Sequence, residues 1–227
     1  MTAESLTSHS ATTLSKPLLR GWSHAIAAVA AIIMTIVLAV RSHNDPPKMA
    51  TLLIFGASMI ILFSMSAIYH IVSWSPRVKK VLRIFDHTNI FLFIAGTYTP
   101  LCFNLLSGWL RVVLLSGIWL LALAGIVVAI FTSRLPRWLS PVLYVSMGWV
   151  AVLALPAFVA VVGWPVVLLL LLGGISYTVG AVVYARKWPN PSPRVFGFHE
   201  IFHLFVIAGG LIFACIMFGW VLPFQRM

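Results

Sequence analysis

Residues 164–185 read WPVVLLLLLGGISYTVGAVVYA, twenty-two consecutive positions without a charged side chain. About 20 apolar residues are enough for a helix to cross the hydrocarbon core of a bilayer. Only helices and closed barrels can span hydrocarbon, and this run lacks the period-two alternation of a barrel strand. The run therefore predicts a transmembrane helix.

The rest of the chain repeats this pattern. Of the 227 residues, 61% are hydrophobic and 8% are charged, which is not the composition of a soluble globular protein. We expect residues 1–20 to form a flexible cytoplasmic N-terminal tail and residues 21–227 to form one membrane domain. That domain is predicted to be all-α, a seven-transmembrane helix bundle with spans at about 22–40, 50–73, 85–106, 112–131, 138–157, 164–185 and 197–221.

Lysine and arginine are unevenly distributed between the two sides that seven spans define. Four of the fifteen lie on the side of the C-terminus (Arg41, Lys48, Arg111 and Arg226), and eleven lie on the other side: Lys16, Arg20, Arg77, Lys79, Lys80, Arg83, Arg134, Arg137, Arg186, Lys187 and Arg194. Because these residues favour the cytoplasm, we predict a cytoplasmic N-terminus and an external C-terminus in the plasma membrane. The cations occupy connections and form no single basic face, so we expect membrane lipids and no nucleic acid as partners.

Ionisable residues inside the spans are the candidates for function, because each costs roughly 2.5–3.5 kcal/mol at a helix centre. The second span ends near His70, the third begins at Asp86, and the seventh begins near His199 and His203. All four are therefore expected at similar depth near the cytoplasmic face. The remaining histidines, His9, His24, His43 and His87, are interpreted as interfacial residues.

The histidine spacing predicts a metal site. His199 and His203 are four residues apart, so they share one helical face, whereas Glu200 points elsewhere. Three histidines with an open fourth position form a ligand set of catalytic zinc. Asp86 could hold or deprotonate a water at such a metal, and Ser66 lies one turn before His70. Alternatively, Asp86 caps its helix and Ser66 bonds a backbone carbonyl.

Four segments resemble the bacterial hemolysin III family, which is related to the adiponectin and progestin receptors. They are KPLLRGWSH at 16–24, SAIYH at 66–70, FDHTNIFLFIAGTYTP at 85–100 and HEIFHLF at 199–205. The resemblance implies seven helices in the bacterial inner membrane and Zn²⁺ bound by His70, His199 and His203. It also implies that Asp86 and Ser66 lie close to the zinc-bound water, and that Glu200 is a passenger in an H-x-x-x-H motif.

Two functions follow from these expectations. The first is a zinc-dependent hydrolase of lipid amides or esters, of ceramidase type, with Asp86 as general base and Ser66 orienting water or oxyanion. The second is a non-catalytic regulator of membrane lipid or energy homeostasis in which zinc has a structural role. A lytic pore is less favoured because no polar stripe lines the predicted helices. An intramembrane metalloprotease is less favoured because no acid follows Glu200 to serve as a third ligand. Gly173, Gly174, Gly209 and Gly210 permit close helix approach, either within the bundle or in a homo-oligomer.

Overall fold

The computed structural model describes residues 17–131 and 139–226, and helices dominate both ranges. In chain order they are α1 (Trp22–Arg41), α2 (Pro46–Ile71), α3 (Pro76–Leu105), α4 (Gly108–Phe131), α5 (Leu139–Trp149), α6 (Leu155–Val162), α7 (Trp164–Arg186) and α8 (Phe198–Ile216). A 3₁₀ segment, Val150–Ala154, joins α5 to α6, and a π-helical turn, Met217–Val221, extends α8.

Among the described residues, six helical stretches are long and apolar enough to cross a membrane. These are Trp22–Arg41, Pro46–Ile71, Gly108–Phe131, Leu139–Val162, Trp164–Arg186 and Phe198–Val221. They coincide with six of the seven predicted spans. Large apolar side chains such as Ile26, Leu120 and Leu168 are exposed on the outside of the bundle, where lipid tails would cover them. The chain is therefore an all-helical integral membrane protein.

The remaining predicted span, 85–106, falls on α3, which is more polar than the other long helices. Its side chains Asn89, Thr97 and Asn104 are buried inside the bundle, so they reduce the hydropathy of α3 without facing lipid. The helix packs against α2, α4, α5, α6 and the π-helical turn. At 1.5 Å per residue its 30 residues extend about 45 Å, beyond the ~30 Å hydrocarbon core. The seven-span count remains a prediction that depends on this central helix.

One span is broken in its middle. Pro156 lies in the first turn of α6, directly after the 3₁₀ segment. Proline has no backbone N–H and its ring clashes with the carbonyl four residues earlier, which kinks or breaks a helix, and here the break coincides with the 3₁₀ segment. The chain therefore crosses as two helices, α5 and α6, joined by a tighter turn.

Glycines allow the helices to approach closely at several crossings. A Cβ atom at Gly56 would overlap the side chain of Thr35 on α1, and one at Gly173 on α7 would overlap Phe213 on α8. A Cβ atom at Gly209 on α8 would likewise overlap the side chain of Tyr177. Gly173 and Gly209 thus serve packing within the bundle.

Polar contacts hold the C-terminal segment at the end of the bundle where α1 joins α2. The ammonium of Lys48 donates to the carbonyls of Leu222 at 3.0 Å and Phe224 at 2.6 Å. Arg226 forms an ion pair with Asp45. Burial by itself would raise the pKa of Asp45, but the amide of Lys48 and the charge of Arg226 outweigh it and hold that pKa below its usual value. These contacts join the C-terminal segment to the connection between α1 and α2, at the end of the bundle opposite the histidines.

Candidate metal centre

The ionisable residues singled out from the sequence lie at one end of the helix bundle. His70 is in the last turn of α2, Asp86 is in α3, and His199 and His203 are in the first two turns of α8. Because α2 runs antiparallel to α3 and α8, its C-terminal end meets their N-terminal parts. The expectation that these four residues share one depth agrees with this arrangement.

The three imidazoles converge. His70, His199 and His203 each offer a ring nitrogen, and these nitrogens all lie within 4.8 Å of one another. The Nε2 atoms of His70 and His199 are 3.1 Å apart. The rings of His70 and His203 are buried, with exposed fractions of 8% and 2%, and His199 is half-buried. The cluster could bind a metal ion.

The donor set fits a zinc-like ion. Two nitrogens bound to one tetrahedral zinc at 2.0–2.1 Å are separated by about 3.3 Å, which is close to the observed 3.1 Å between His70 and His199. The Nδ1 atom of His203 is buried without a hydrogen-bond partner in the described part of the chain. Neutral imidazole nitrogens of this kind are suitable ligands.

Asp86 and Ser66 lie beside the histidines. The Oδ2 atom of Asp86 is 3.9 Å from Nε2 of His70 and 3.9 Å from Nδ1 of His87. Ser66, one helical turn before His70, is buried and lines the same cavity as Asp86. Asp86 lies in the third turn of α3 and not at its start, so the alternative in which it caps that helix is wrong.

The interfacial interpretation of His24 is also wrong. The residue is 3% exposed, and its ring stacks on that of His203 with centroids 3.8 Å apart and an interplanar angle of 9°. Neither ring nitrogen has a hydrogen-bond partner within the described ranges. Arg20 and His24 are four residues apart at the N-terminal start of the first predicted span, so the spacing and depth argument used for His199 and His203 would also have identified His24.

The other histidines differ among themselves. His43 is exposed, with Nδ1 2.8 Å from the carbonyl of Val40, as expected for an interfacial residue. His87 is half-buried beside Asp86. His9 lies outside the described residues.

Glu200 does not face the histidine cluster, as predicted, but it has a structural role that the sequence did not reveal. Its Oε1 accepts a 2.6 Å hydrogen bond from Nε of Arg20, and its Oε2 accepts a 2.7 Å bond from the amide of Gly197. The backbone amides of Leu18 and Leu19 also donate to the carbonyls of Arg194 and Val195. Glu200 therefore joins the segment before α1 to the start of the helix that carries His199 and His203.

Gly21 allows α1 to begin directly against His70. Its φ of +89° lies in the left-handed region that side chains disfavour, and a Cβ atom there would be 2.9 Å from Cβ of His70. Glycine is therefore required by both the turn and the contact.

A large cavity adjoins the cluster. Its volume is about 950 Å³, and its walls include His70, His199, His203 and Asp86 at one end. Farther along, apolar side chains such as Phe158 line it. A cavity of this size and composition is typical of a site for a small apolar molecule.

Fold and site together define a polytopic helical membrane protein with a buried histidine cluster at one end of its bundle. A family model described as haemolysin-III related matches residues 12–214. The chain belongs to this family, and it is a multi-pass protein of the plasma membrane.

Individual relatives agree with this assignment. Hemolysin-3 of Bacillus cereus is 36% identical over 206 residues, covering 88% of this chain and 90% of the relative. The hemolysin-3 homolog of Bacillus subtilis is 35% identical over 198 residues, covering 86% and 89%. The human monocyte to macrophage differentiation factor, a member of the progestin and adipoQ receptor family, is 27% identical over 195 residues, covering 84% and 78%. The resemblance noted from the sequence motifs is confirmed.

Proposed function

We propose that this protein is a zinc-dependent hydrolase that cleaves amide or ester bonds of membrane lipids. The observation that carries the proposal is the position of three converging imidazoles and Asp86 in the wall of a cavity of about 950 Å³. A metal site that serves only stability is normally closed by four protein ligands, whereas a catalytic site keeps a position open toward its substrate.

The proposed topology has seven spans, with α3 as the third. A seventh span gives the eleven-to-four division of lysine and arginine between the two sides. That division supports a cytoplasmic N-terminus and an external C-terminus. The metal centre is then near the cytoplasmic face, within reach of lipids of the inner leaflet.

Each residue at the site has a proposed task. His70, His199 and His203 hold the zinc ion through their ring nitrogens. When bound, zinc acts as a Lewis acid and lowers the pKa of a water ligand to about 7. Asp86 accepts the proton of the attacking water at its carboxylate and transfers it to the leaving nitrogen or oxygen of the lipid. Ser66, one turn before His70 on α2, orients the water or the oxyanion of the reaction.

The resemblance to the receptor relatives suggests ceramide-like amides as substrates. A long acyl chain would occupy the apolar part of the cavity while the amide lies beside the histidines. The apolar walls would exclude water from the chain and leave the polar end as the place of reaction.

A second candidate is a regulator in which zinc joins α2, α3 and α8. The distance of 3.9 Å between Asp86 and His70 favours it, because a small shift of the carboxylate would make Asp86 a fourth ligand and close the site. The peptidase alternative has less support, since the base of an H-E-x-x-H site acts on the water at the metal and Glu200 is bonded to Arg20 and Gly197 instead.

Metal content and turnover of two variants would distinguish the two candidates. We expect the purified wild type to contain about one zinc per chain and to hydrolyse a fluorescent ceramide or acyl ester. His199→Ala should lose both properties. Asp86→Asn should retain the zinc and lose hydrolysis at least a hundredfold, within the range for general bases. Loss of zinc from Asp86→Asn, with no turnover by the wild type, would favour the regulator.

A further inference from the structure

The cavity beside the metal centre is long and changes in character from end to end. Both Arg83 and Leu101 of α3 line it, and these residues are 18 positions apart, or about 27 Å along a helix. This length nearly equals the ~30 Å hydrocarbon thickness of a bilayer, so it exceeds what the acyl chain of one leaflet occupies. The cavity can therefore take one long apolar chain along its full length.

The inner end of this cavity is cationic. Lys80 and Arg83 of α3 and Lys187, which directly follows α7, line the cavity there and are exposed. None of the three has an ion pair with an acidic residue within the described ranges. Asp86 is the one acidic residue among the lining residues described. Among the described residues, the mouth thus carries an excess of positive charge.

The cations are positioned toward the metal centre. Lys80, Arg83 and His87 follow one another at spacings of three and four, which places them along one face of α3. Arg83 is three residues from Asp86, so the two side chains start about one helical turn apart. A group bound by Arg83 would lie directly beside the histidine cluster.

Topology explains why this end of the protein is basic, but it does not explain which cations line the cavity. Arg77, Lys79 and Arg186 belong to the same helices and the same end, yet they do not line it. Their positive charge satisfies the preference of the cytoplasmic side equally well. A fourth lining cation, Arg20, is paired with Glu200, which leaves Lys80, Arg83 and Lys187 available for a second task.

We propose that the cavity binds a lipid with a single long chain and a phosphate headgroup, with the phosphate on Lys80, Arg83 and Lys187. A phosphate monoester carries a charge of about −1.5 to −2 and three acceptor oxygens, which suits three cations better than a single carboxylate does. The arginine fork binds phosphate oxygens in pairs, and lysine acts as a point charge. The inference rests on the proposed function for the identification of this lipid as substrate, whereas binding itself requires no turnover.

Binding of defined lipids to the purified full chain in detergent tests the headgroup assignment. The probes are oleoyl lysophosphatidic acid, oleoyl lysophosphatidylcholine, oleate and inorganic phosphate, measured by native mass spectrometry and by displacement of labelled lysophosphatidic acid. Lysophosphatidic acid should bind at least tenfold more tightly than the other three. Equal binding of lysophosphatidic acid and lysophosphatidylcholine would overturn the proposal, as would tighter binding of oleate.

Matched charge variants separate a specific site from general surface charge. The triple variant Lys80→Gln, Arg83→Gln, Lys187→Gln should weaken the binding of lysophosphatidic acid at least tenfold. It should change the binding of lysophosphatidylcholine less than twofold. The control triple Arg77→Gln, Lys79→Gln, Arg186→Gln removes the same charge from the same helices and should change both less than twofold. An equal loss of lysophosphatidic acid in both triples would contradict a headgroup site.

A separate variant tests whether the chain lies in the cavity. Gly174 lines the cavity, where an added Cβ has only ordinary contacts with Trp149. Gly174→Leu should weaken the binding of oleoyl lysophosphatidic acid more than the binding of its eight-carbon homologue. Gly117→Leu, at a position with open space around it, should change the binding of neither lipid. Selective lipid binding without hydrolysis would leave this inference standing and contradict the hydrolase. Turnover of a neutral ceramide without selectivity for phosphate-bearing lipids would support the hydrolase and contradict this inference.

Discussion

Side chains at the histidine end show how residues outside a ligand set can determine its geometry. The rings of His70, His199 and His203 come from α2 and α8, and each helix by itself leaves the ring orientation free. His24 covers one face of His203, and Glu200 holds the first turn of α8 through Arg20. Neither residue belongs to the cluster of His70, His199 and His203, so each is a positioning residue for the proposed ligands.

Replacing Glu200 tests this positioning role. Glu200→Gln removes the charge but keeps the shape of the side chain. We expect the free energy of unfolding to fall by roughly 1–3 kcal/mol, because a buried, charge-assisted pair is broken. Zinc affinity should also fall, since α8 is less firmly held. The matched control is Asp45→Asn, which breaks the more exposed pair with Arg226 at the opposite end and should leave zinc affinity unchanged. Thermal unfolding and zinc titration measure both variants, and an unaltered zinc affinity in Glu200→Gln would contradict the role.

The stacking of His24 makes a second residue-scale prediction. His24→Phe preserves a flat ring against His203 and should retain one zinc per chain. His24→Ala opens a buried cavity and should cost about 2–4 kcal/mol, as other large-to-small substitutions in cores do, with weaker zinc binding. Elemental analysis measures the zinc content of both variants, and thermal unfolding measures their stability. Loss of zinc from His24→Phe would show that His24 is itself a ligand.

At the scale of helices, the start of α1 depends on one residue without a side chain. Gly21 combines a left-handed backbone with contact to His70, so α1 and α2 can meet beside the metal centre. Arg20 and His24 are placed by the same turn, one on each side of Gly21. The first helix therefore contributes to the site although it carries none of the three proposed ligands.

Gly21→Ala should disturb both the turn and the site. A left-handed conformation costs an alanine roughly 1–2 kcal/mol, and the methyl group would displace His70. We expect a lower unfolding temperature and weaker zinc binding in a zinc titration. Gly117→Ala in α4 is the control, because its methyl group meets open space and alanine favours a helix. It should be neutral or stabilising, and the proposed contact is refuted if the two variants behave alike.

At the scale of the whole molecule, α3 connects the topology to the cavity. It is the central helix, and its polar residues Asn89, Thr97 and Asn104 are buried against other helices, so its hydropathy understates its suitability for a membrane. It also supplies Asp86 and the cations Lys80 and Arg83. If α3 did not span, the orientation of every later helix would reverse.

Single cysteines in a background lacking Cys102 and Cys215 test the seven-span topology. With an impermeant maleimide and intact spheroplasts, Arg41→Cys and Trp109→Cys should be labelled at once, whereas Arg77→Cys should be labelled only after permeabilisation. Arg77 lies in the first turn of α3 and Trp109 lies just beyond its C-terminal end, at the start of α4, so labels on opposite sides show that α3 crosses. Labelling of both on the same side would exclude α3 as a span.

The sequence by itself determined the helical membrane class, six of the span positions and the candidate ligands, because hydropathy and the i, i+4 spacing are local properties. It also carried the family motifs. Only the tertiary structure decided that His24 stacks on His203, that Arg20 bonds Glu200 across 180 positions, and that one cavity joins the cations to the metal centre. These contacts depend on which helical faces meet, and that choice is made by packing over the whole bundle.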